Sequence, residues 1–488
     1  MSAFNQILRC TATDGLLGSP NSRMDIVVMT REAPSTGHKA LQINLDQSKY
    51  GTFAEIGAGQ EVARWFFLVG GASGTVAKTI SAYDMAVSDA IYGPSERYVS
   101  RQRLHAMLEY EYKLLLERLD AKRGDTTTFF VYANTMAARS FTRHEEGHGW
   151  MGIQFQHRPH AEPSEILIHV RMLDGENVRE QEAIGILGLN LIYGAYFYGD
   201  DPPTLIASLL DGLSTDRIDL DMIRFSGPRF ANVDNRLMSL QLVEQKFTDV
   251  AMFTAQGEVV EAAELLYKKP ILIERGSFRP ITNLTQAILD SARAQFTSDE
   301  LPVVLMEMTL RQLQTGGDRI EHADFLARVD TLGTLGHPVM ISRYLRYHRL
   351  VPFLRRLTPK RIGFAMGLRN ARQLYDEHFY SDMPGGILQA LGELFQGDIK
   401  LYVCPAIDTA TGKIVAPPDF KPPVHLKHLF AYVLENKLVE TVPVDNALLS
   451  IYSADVLNKI QSGDSAWEKM VPAPVVQMIK DRKFFNCK

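Results

Sequence analysis

Between Glu165 and Cys404 the chain repeats one pattern eight times: a short apolar run rich in β-branched residues, then a helix-length stretch. The runs are EILIHVRML (165–173), IDLDMIRFS (218–226), DVAMFT (249–254), PILIERG (270–276), PVVLMEM (302–308), PVMISR (338–343), RIGFAMG (361–367) and DIKLYVC (398–404). Alternation of this kind predicts right-handed βαβ crossovers and a mainly parallel sheet in an α/β fold. Eight units match an eight-stranded α/β barrel, whose usual length is about 250 residues. A doubly wound open sheet uses the same units and is the alternative.

The preceding chain has another rhythm. Residues 1–50 carry Gly, Pro, Ser and Thr clusters and read as a loop-rich arm. Residues 51–160 read as an α+β extension, and 161–488 as the parallel core. In the extension, RWFFLV reads as a short strand, Thr75 to Ile91 as a helix, and Ser100 to Leu119 as an amphipathic helix with Leu104, Met107, Leu108, Tyr112, Leu115 and Leu119 on one side. The closely spaced runs at 128–133, 150–156 and 165–173 predict a local antiparallel ladder.

In either architecture a ligand binds at the carboxyl ends of the parallel strands, where loops and helix starts gather. Arginine stands at five of seven such ends: Arg171, Arg224, Arg275, Arg343 and Arg369. The guanidinium fork suits phosphate or carboxylate, so these residues are candidate ligands for an anionic small molecule. The alternative is that each clamps a neighbouring acid. Gly385 and Gly386 open a helix after the seventh run and extend the candidate phosphate seat. Glu307 and Asp174, at strand ends near arginines, are the candidate proton-transfer acids; a cationic neighbour would favour a base role.

Three further constellations carry weaker chemistry. Gly70, Gly71 and Gly74 followed by Lys78 form a phosphate-loop candidate that departs from the Walker spacing. His144 to His148 spell HExxH, yet Gly147, Gly149 and the strand-like run from Trp150 argue against the helix that a zinc pair needs. His144 and His148 are thus only weak metal ligands, and no metal is expected. From Thr331 to Tyr375 there is no Asp or Glu but nine Lys or Arg, so a net charge of -5 conceals a basic segment. That segment suits an anion-binding wall; the acidic total disfavours nucleic acid. No nucleophile elbow is present, since GASGT is not GxSxG.

Three cysteines, far apart, exclude a disulfide framework and suggest a reducing cytoplasm. The start MSAFNQILRCTATDG has no basic, apolar and small-residue succession and predicts no secretory leader. The uncharged stretch from Ala183 to Gly199, with four glycines, is short for a membrane span and predicts a buried helix.

The segments EEGHGWMGIQFQ, LLYKKPILIERGSFRPIT, DIKLYVCPAIDTATGK and GQEVARWFFLVGGASGTVAKTISAYD resemble a bacterial family labelled nicotinate- or nicotinamide-mononucleotide adenylyltransferase. The resemblance implies a Rossmann-like fold and adenylyl transfer to a mononucleotide. The GxFxPxHxGH and SxTxxR signatures of that class are absent, so no catalytic residue carries over. The expected function is a soluble enzyme for a phosphorylated or nucleotide-like molecule, with Mg2+ accompanying a nucleotide. Mononucleotide adenylyl transfer and a non-catalytic assembly protein that forms homo-oligomers are the alternatives.

Overall fold

A computed structural model describes residues 31–139, 146–314, 317 and 319–488. The fold below belongs to the unit Pro34–Lys488. It contains two large open sheets and one small ribbon. The strands are β1 Lys49–Gly57, β2 Val76–Ile80, β3 Thr128–Ala137, β4 His148–Phe155, β5 Ser164–Met172, β6 Ile218–Ser226, β7 Val250–Phe253, β8 Val259–Val260, β9 Ile271–Arg275, β10 Val303–Thr309, β11 Val339–Ser342, β12 Ile362–Gly367 and β13 Ile399–Cys404. The ribbon strands β14 Ala406–Ile407 and β15 Ile414–Val415 and the edge strand β16 Val439–Thr441 complete the set.

The first sheet has the order β2-β1-β3-β4-β5-β6. β1 is parallel to both β2 and β3, and from β3 to β6 each strand is antiparallel to the next, as the close spacing of three of these runs predicts. One face is covered by the helix Arg101–Arg123, which buries Leu104, Met107, Leu108, Tyr112 and Leu115 at helical spacing. Ser100 caps its start by accepting from the Arg103 amide at 3.1 Å. The other face is covered by the helix Asn177–Phe197, whose run from Ala183 to Ala195 is wholly buried. Among the described residues no helix is long and apolar enough to cross a membrane.

The second sheet has the order β16-β13-β12-β9-β10-β11-β7-β8. The six strands from β16 to β11 are mutually parallel; β7 and β8 form an antiparallel edge. The chain lays β9, β10 and β11 outward, then returns to the far side of β9 for β12, β13 and β16. That is the doubly wound order, with its switch point between β9 and β12.

The fold is therefore α/β with two large sheets, the second of them mainly parallel, and the open alternative holds. The eight-stranded barrel does not form. All eight runs are strands, but β5 and β6 pair antiparallel in the first sheet and β7 runs antiparallel in the second, so five of the eight remain for the parallel block.

Three local expectations are corrected. RWFFL lies in a helix, Val62–Leu68, because Val62, Ala63 and Phe66 share its inward face. The expected helix from Thr75 to Ile91 is the edge strand β2 followed by the helix Met85–Tyr92; β-branched VAKTI finds β1 as a parallel partner, and tertiary pairing outweighs local pattern. The first sheet continues to Ser226, across the domain boundary expected at residue 160, and the arm expected over residues 1–50 includes the helix Thr36–Asn44.

Candidate functional site

The parallel block β2-β1-β3 brings three strand ends together on one edge of the first sheet, where open α/β sheets bind ligands. Two cavities open there. One, of about 370 Å³, is lined by Glu55, Gln60, Arg64, Phe67 and Thr79; the other, of about 720 Å³, by Gln60, Glu61, Tyr83, Tyr98, Thr135 and Gln181. Gln60 faces both. Gly57 makes the sharp exit from β1: its φ is +78°, and a side chain there would meet the Met136 carbonyl at 2.1 Å.

Glu55 is the one acid in the buried run Thr52–Ile56 and is only 3% exposed. Its carboxylate accepts the Val62 amide at 2.9 Å and the Ala63 amide at 3.3 Å. Asn134, its register partner on β3, donates to it at 3.5 Å and also to the Gly59 carbonyl at 2.9 Å and Tyr132 Oη at 3.2 Å. Burial pushes the carboxyl up to about 7, with the nearby amides opposing it and Glu61 adding to the rise. A carboxyl poised there can take and return a proton near neutrality. Asn134 Oδ1 is buried without a hydrogen-bond partner.

One acid behind the larger cavity, Asp89, holds part of its lining in place. Asp89 receives Tyr98 Oη at 2.8 Å and Arg103 Nη2 at 2.8 Å, while Thr135 Oγ1 donates to the Tyr98 carbonyl at 2.6 Å. These bonds fix the Tyr98 ring at the mouth.

The residues predicted from sequence lie elsewhere, most of them with partners. Arg275 and Glu307 are brought together and bind each other, with Ser342 Oγ donating to Glu307 at 2.7 Å. Arg171 pairs with Asp219 at 2.8 Å and with Glu146. Asp174 is held by Arg217 at 2.8 Å and Arg179 at 3.2 Å. Arg343 pairs with Asp249 at 2.9 Å, and the Arg369 guanidinium lies over the Tyr452 ring at 5.1 Å. Arg224 lines an open cavity of about 540 Å³ with Asn232 and Arg236. At the start of the helix Gly386–Leu394, the Gly385 amide donates to Gln389 Oε1 at 3.0 Å, and Gly386 takes a φ of +53°.

The phosphate-loop candidate loses its helix start. Gly70, Gly71 and Gly74 join a helix to a strand, the Gly70 carbonyl accepts Asn44 Nδ2 at 2.7 Å, and Lys78 points from β2 to Glu111. In the HExxH segment His144 lies outside the described residues; His148 opens β4, and its Nδ1 is 3.3 Å from His169 Nε2. The basic segment is answered across the fold: Arg346 pairs with Asp382, Lys360 with Glu300 and Arg361 with Asp398.

Glu55, Gln60 and Asn134 were not among the residues singled out from sequence. The available signal was FAEIGAGQ, a lone acid inside an apolar run that ends in glycines.

No family model matches this sequence, and no curated protein matches it. Among solved structures, the chain is similar to the competence/damage-inducible protein CihA from Agrobacterium tumefaciens, at 18% identity over 33% of this chain and 96% of that chain, with a TM-score of 0.24. A CinA superfamily protein from Klebsiella pneumoniae is 9% identical over 33% of this chain and 98% of its own, with a TM-score of 0.24. A competence- or damage-inducible protein from Enterobacter asburiae is 12% identical over the same shares, with a TM-score of 0.23. Likenesses at these scores carry no functional argument.

Proposed function

We propose that the protein is an enzyme for a phosphorylated, nucleotide-like small molecule bound at the carboxyl edge of β2, β1 and β3, with Glu55 moving the proton. The observation that carries this reading is the Glu55 carboxyl, buried at the wall of an open cavity and held near neutrality by that burial. Arg64 is the cation at the rim. Its ion pair with Glu61, at 3.0 Å, is solvent-exposed and weak, so the guanidinium is available to a phosphate. Phe67, Tyr83 and Tyr98 offer aromatic faces to a planar base.

The test is a thermal-shift screen with nucleotides, mononucleotides and sugar phosphates, each with and without Mg2+. A ligand present at 100 times its dissociation constant stabilises by about 2.7 kcal/mol. Glu55→Gln should keep that binding and lose turnover of the same compound. Release of pyrophosphate from ATP and a mononucleotide would identify adenylyl transfer. No response to any of these anions, together with large oligomers in solution, overturns the enzyme reading in favour of an assembly protein.

A further inference from the structure

Where the first sheet packs against the second, three potential metal ligands meet from distant parts of the chain. His169 lies on β5, Asp221 on β6, and Glu261 follows β8 at the start of the helix Ala262–Leu266. One ligand atom of each lies within 4.8 Å of the other two. That spacing is close to what two bonds of about 2.1 Å from one ion can span.

The backbone is bent to make this meeting. In the β5/β6 register His169 faces Met222, Val170 faces Leu220 and Arg171 faces Asp219, so Asp221 is the extra residue of a β-bulge. A bulge re-aims a side chain that a regular strand would place differently. It leaves Asp221 Oδ1 2.7 Å from His169 Nδ1.

His169 is 3% exposed, with the Trp150 ring 4.9 Å away. Its other nitrogen, Nε2, is directed at His148 Nδ1. Metal-binding histidines show this arrangement: one nitrogen on the ion and the other held by a fixed neighbour. Arg171 answers the adjacent Asp219, but no lysine or arginine lies within salt-bridge distance of Asp221 or Glu261 among the described residues. The two carboxylates thus share the His169 imidazole.

We infer that His169, Asp221 and Glu261 bind one divalent transition-metal ion that pins β5 and β6 to the chain following β8. One imidazole with two carboxylates suits zinc, manganese or cobalt, whereas magnesium and calcium take oxygen ligands. The site stands apart from Glu55 and does not depend on the catalytic reading.

The experiment is metal analysis of the full-length protein, followed by calorimetric titration of chelator-treated protein with Zn2+, Mn2+ and Co2+. The expected result is one equivalent bound, with cobalt developing the visible absorption of a protein-bound ion. Glu261→Gln and His169→Asn should weaken binding by more than about 100-fold, and His148→Ala, acting through His169, by about 10- to 100-fold. Glu261 is partly exposed, so its variant keeps the test open if His169→Asn fails to fold. His378→Ala, at a fully exposed histidine, should change nothing. Absence of stoichiometric binding by all three ions overturns the inference, as does binding that Glu261→Gln leaves unchanged.

Discussion

The Arg275 guanidinium closes on the Glu307 carboxylate through two parallel bonds, Nε to Oε2 at 2.8 Å and Nη2 to Oε1 at 2.6 Å, at the ends of adjacent strands. Glu307 is fully buried and Arg275 is 8% exposed. The arginine also donates to the Leu345 carbonyl at 3.0 Å and lies over the Tyr347 ring at 4.3 Å. A pair so enclosed holds β9, β10 and the segment after β11 together. Removing one partner strands a charge away from water. Arg275→Ala is expected to cost about 3–5 kcal/mol in urea unfolding, and the double variant Arg275→Met, Glu307→Leu distinctly less. Equal losses would show that the charge pair is not the source.

Glu55 sets a pH dependence. Its folded value is raised to about 7 from 4.5, so between those values the folded state holds a proton that the unfolded chain has released. Stability therefore falls as pH rises through that window and levels off above it, by roughly 3 kcal/mol if the whole shift is realised. Urea unfolding from about pH 5 to pH 8 should show this decline, and Glu55→Gln should make it shallower, the remainder coming from Asp219, Glu261 and Glu274, whose carboxyls burial also raises. A slope as steep in the variant as in the wild type would assign the effect wholly to those other groups.

The strands were legible in the sequence because β-branched runs between helix-length gaps are a local property; their partners were not. EILIHVRML reads the same whether its neighbour is parallel or antiparallel, and only the short links through β3, β4 and β5 hinted at the second. The arginines at strand ends were visible for the same local reason. Their acids were not, since Asp249 lies 94 residues from Arg343 and Asp219 lies 48 from Arg171. Glu55 escaped notice because an acid becomes chemically unusual only when the fold desolvates it, and that burial is a tertiary property the local sequence does not show. The segment RWFFLVGG, read as strand and loop, hid the helix Val62–Leu68.

The glycines of the uncharged stretch support the site indirectly. A side chain at Gly188, on the helix Asn177–Phe197, would meet Val62 Cγ2 at 2.4 Å and Tyr132 Oη at 2.5 Å. Tyr132 receives Asn134, so the displacement reaches Glu55. Gly188→Ala should cost about 1–3 kcal/mol and weaken any ligand at the Glu55 cavity. Gly392→Ala is the matched control. It sits in a helix with nothing within 4 Å of the added carbon, so it should stabilise by up to about 1 kcal/mol.

The switch point between β9 and β12 makes the opposite prediction about binding. In doubly wound sheets of this order the helix after the first strand offers its initial amides to a pyrophosphate. Here that helix is Asn283–Gln295, and the Asn283 amide donates instead to the Met470 carbonyl at 2.9 Å, while Asn283 Nδ2 donates to the Lys469 carbonyl at 2.9 Å. Thr282 Oγ1 caps the Thr285 amide at 3.3 Å, Ser453 Oγ donates to the Pro280 carbonyl at 3.0 Å, and Arg369 is stacked on Tyr452. The chain's own C-terminal segment holds the seat that a dinucleotide would need. NAD+, NADP+ and FAD are therefore expected to leave the melting temperature unchanged. Asn283→Ala and Ser453→Ala should each lower stability by about 1 kcal/mol without creating a dinucleotide response. A dinucleotide shift that Arg369→Ala abolishes would place a ligand in this crevice after all, with the segment around Tyr452 displaced to admit it.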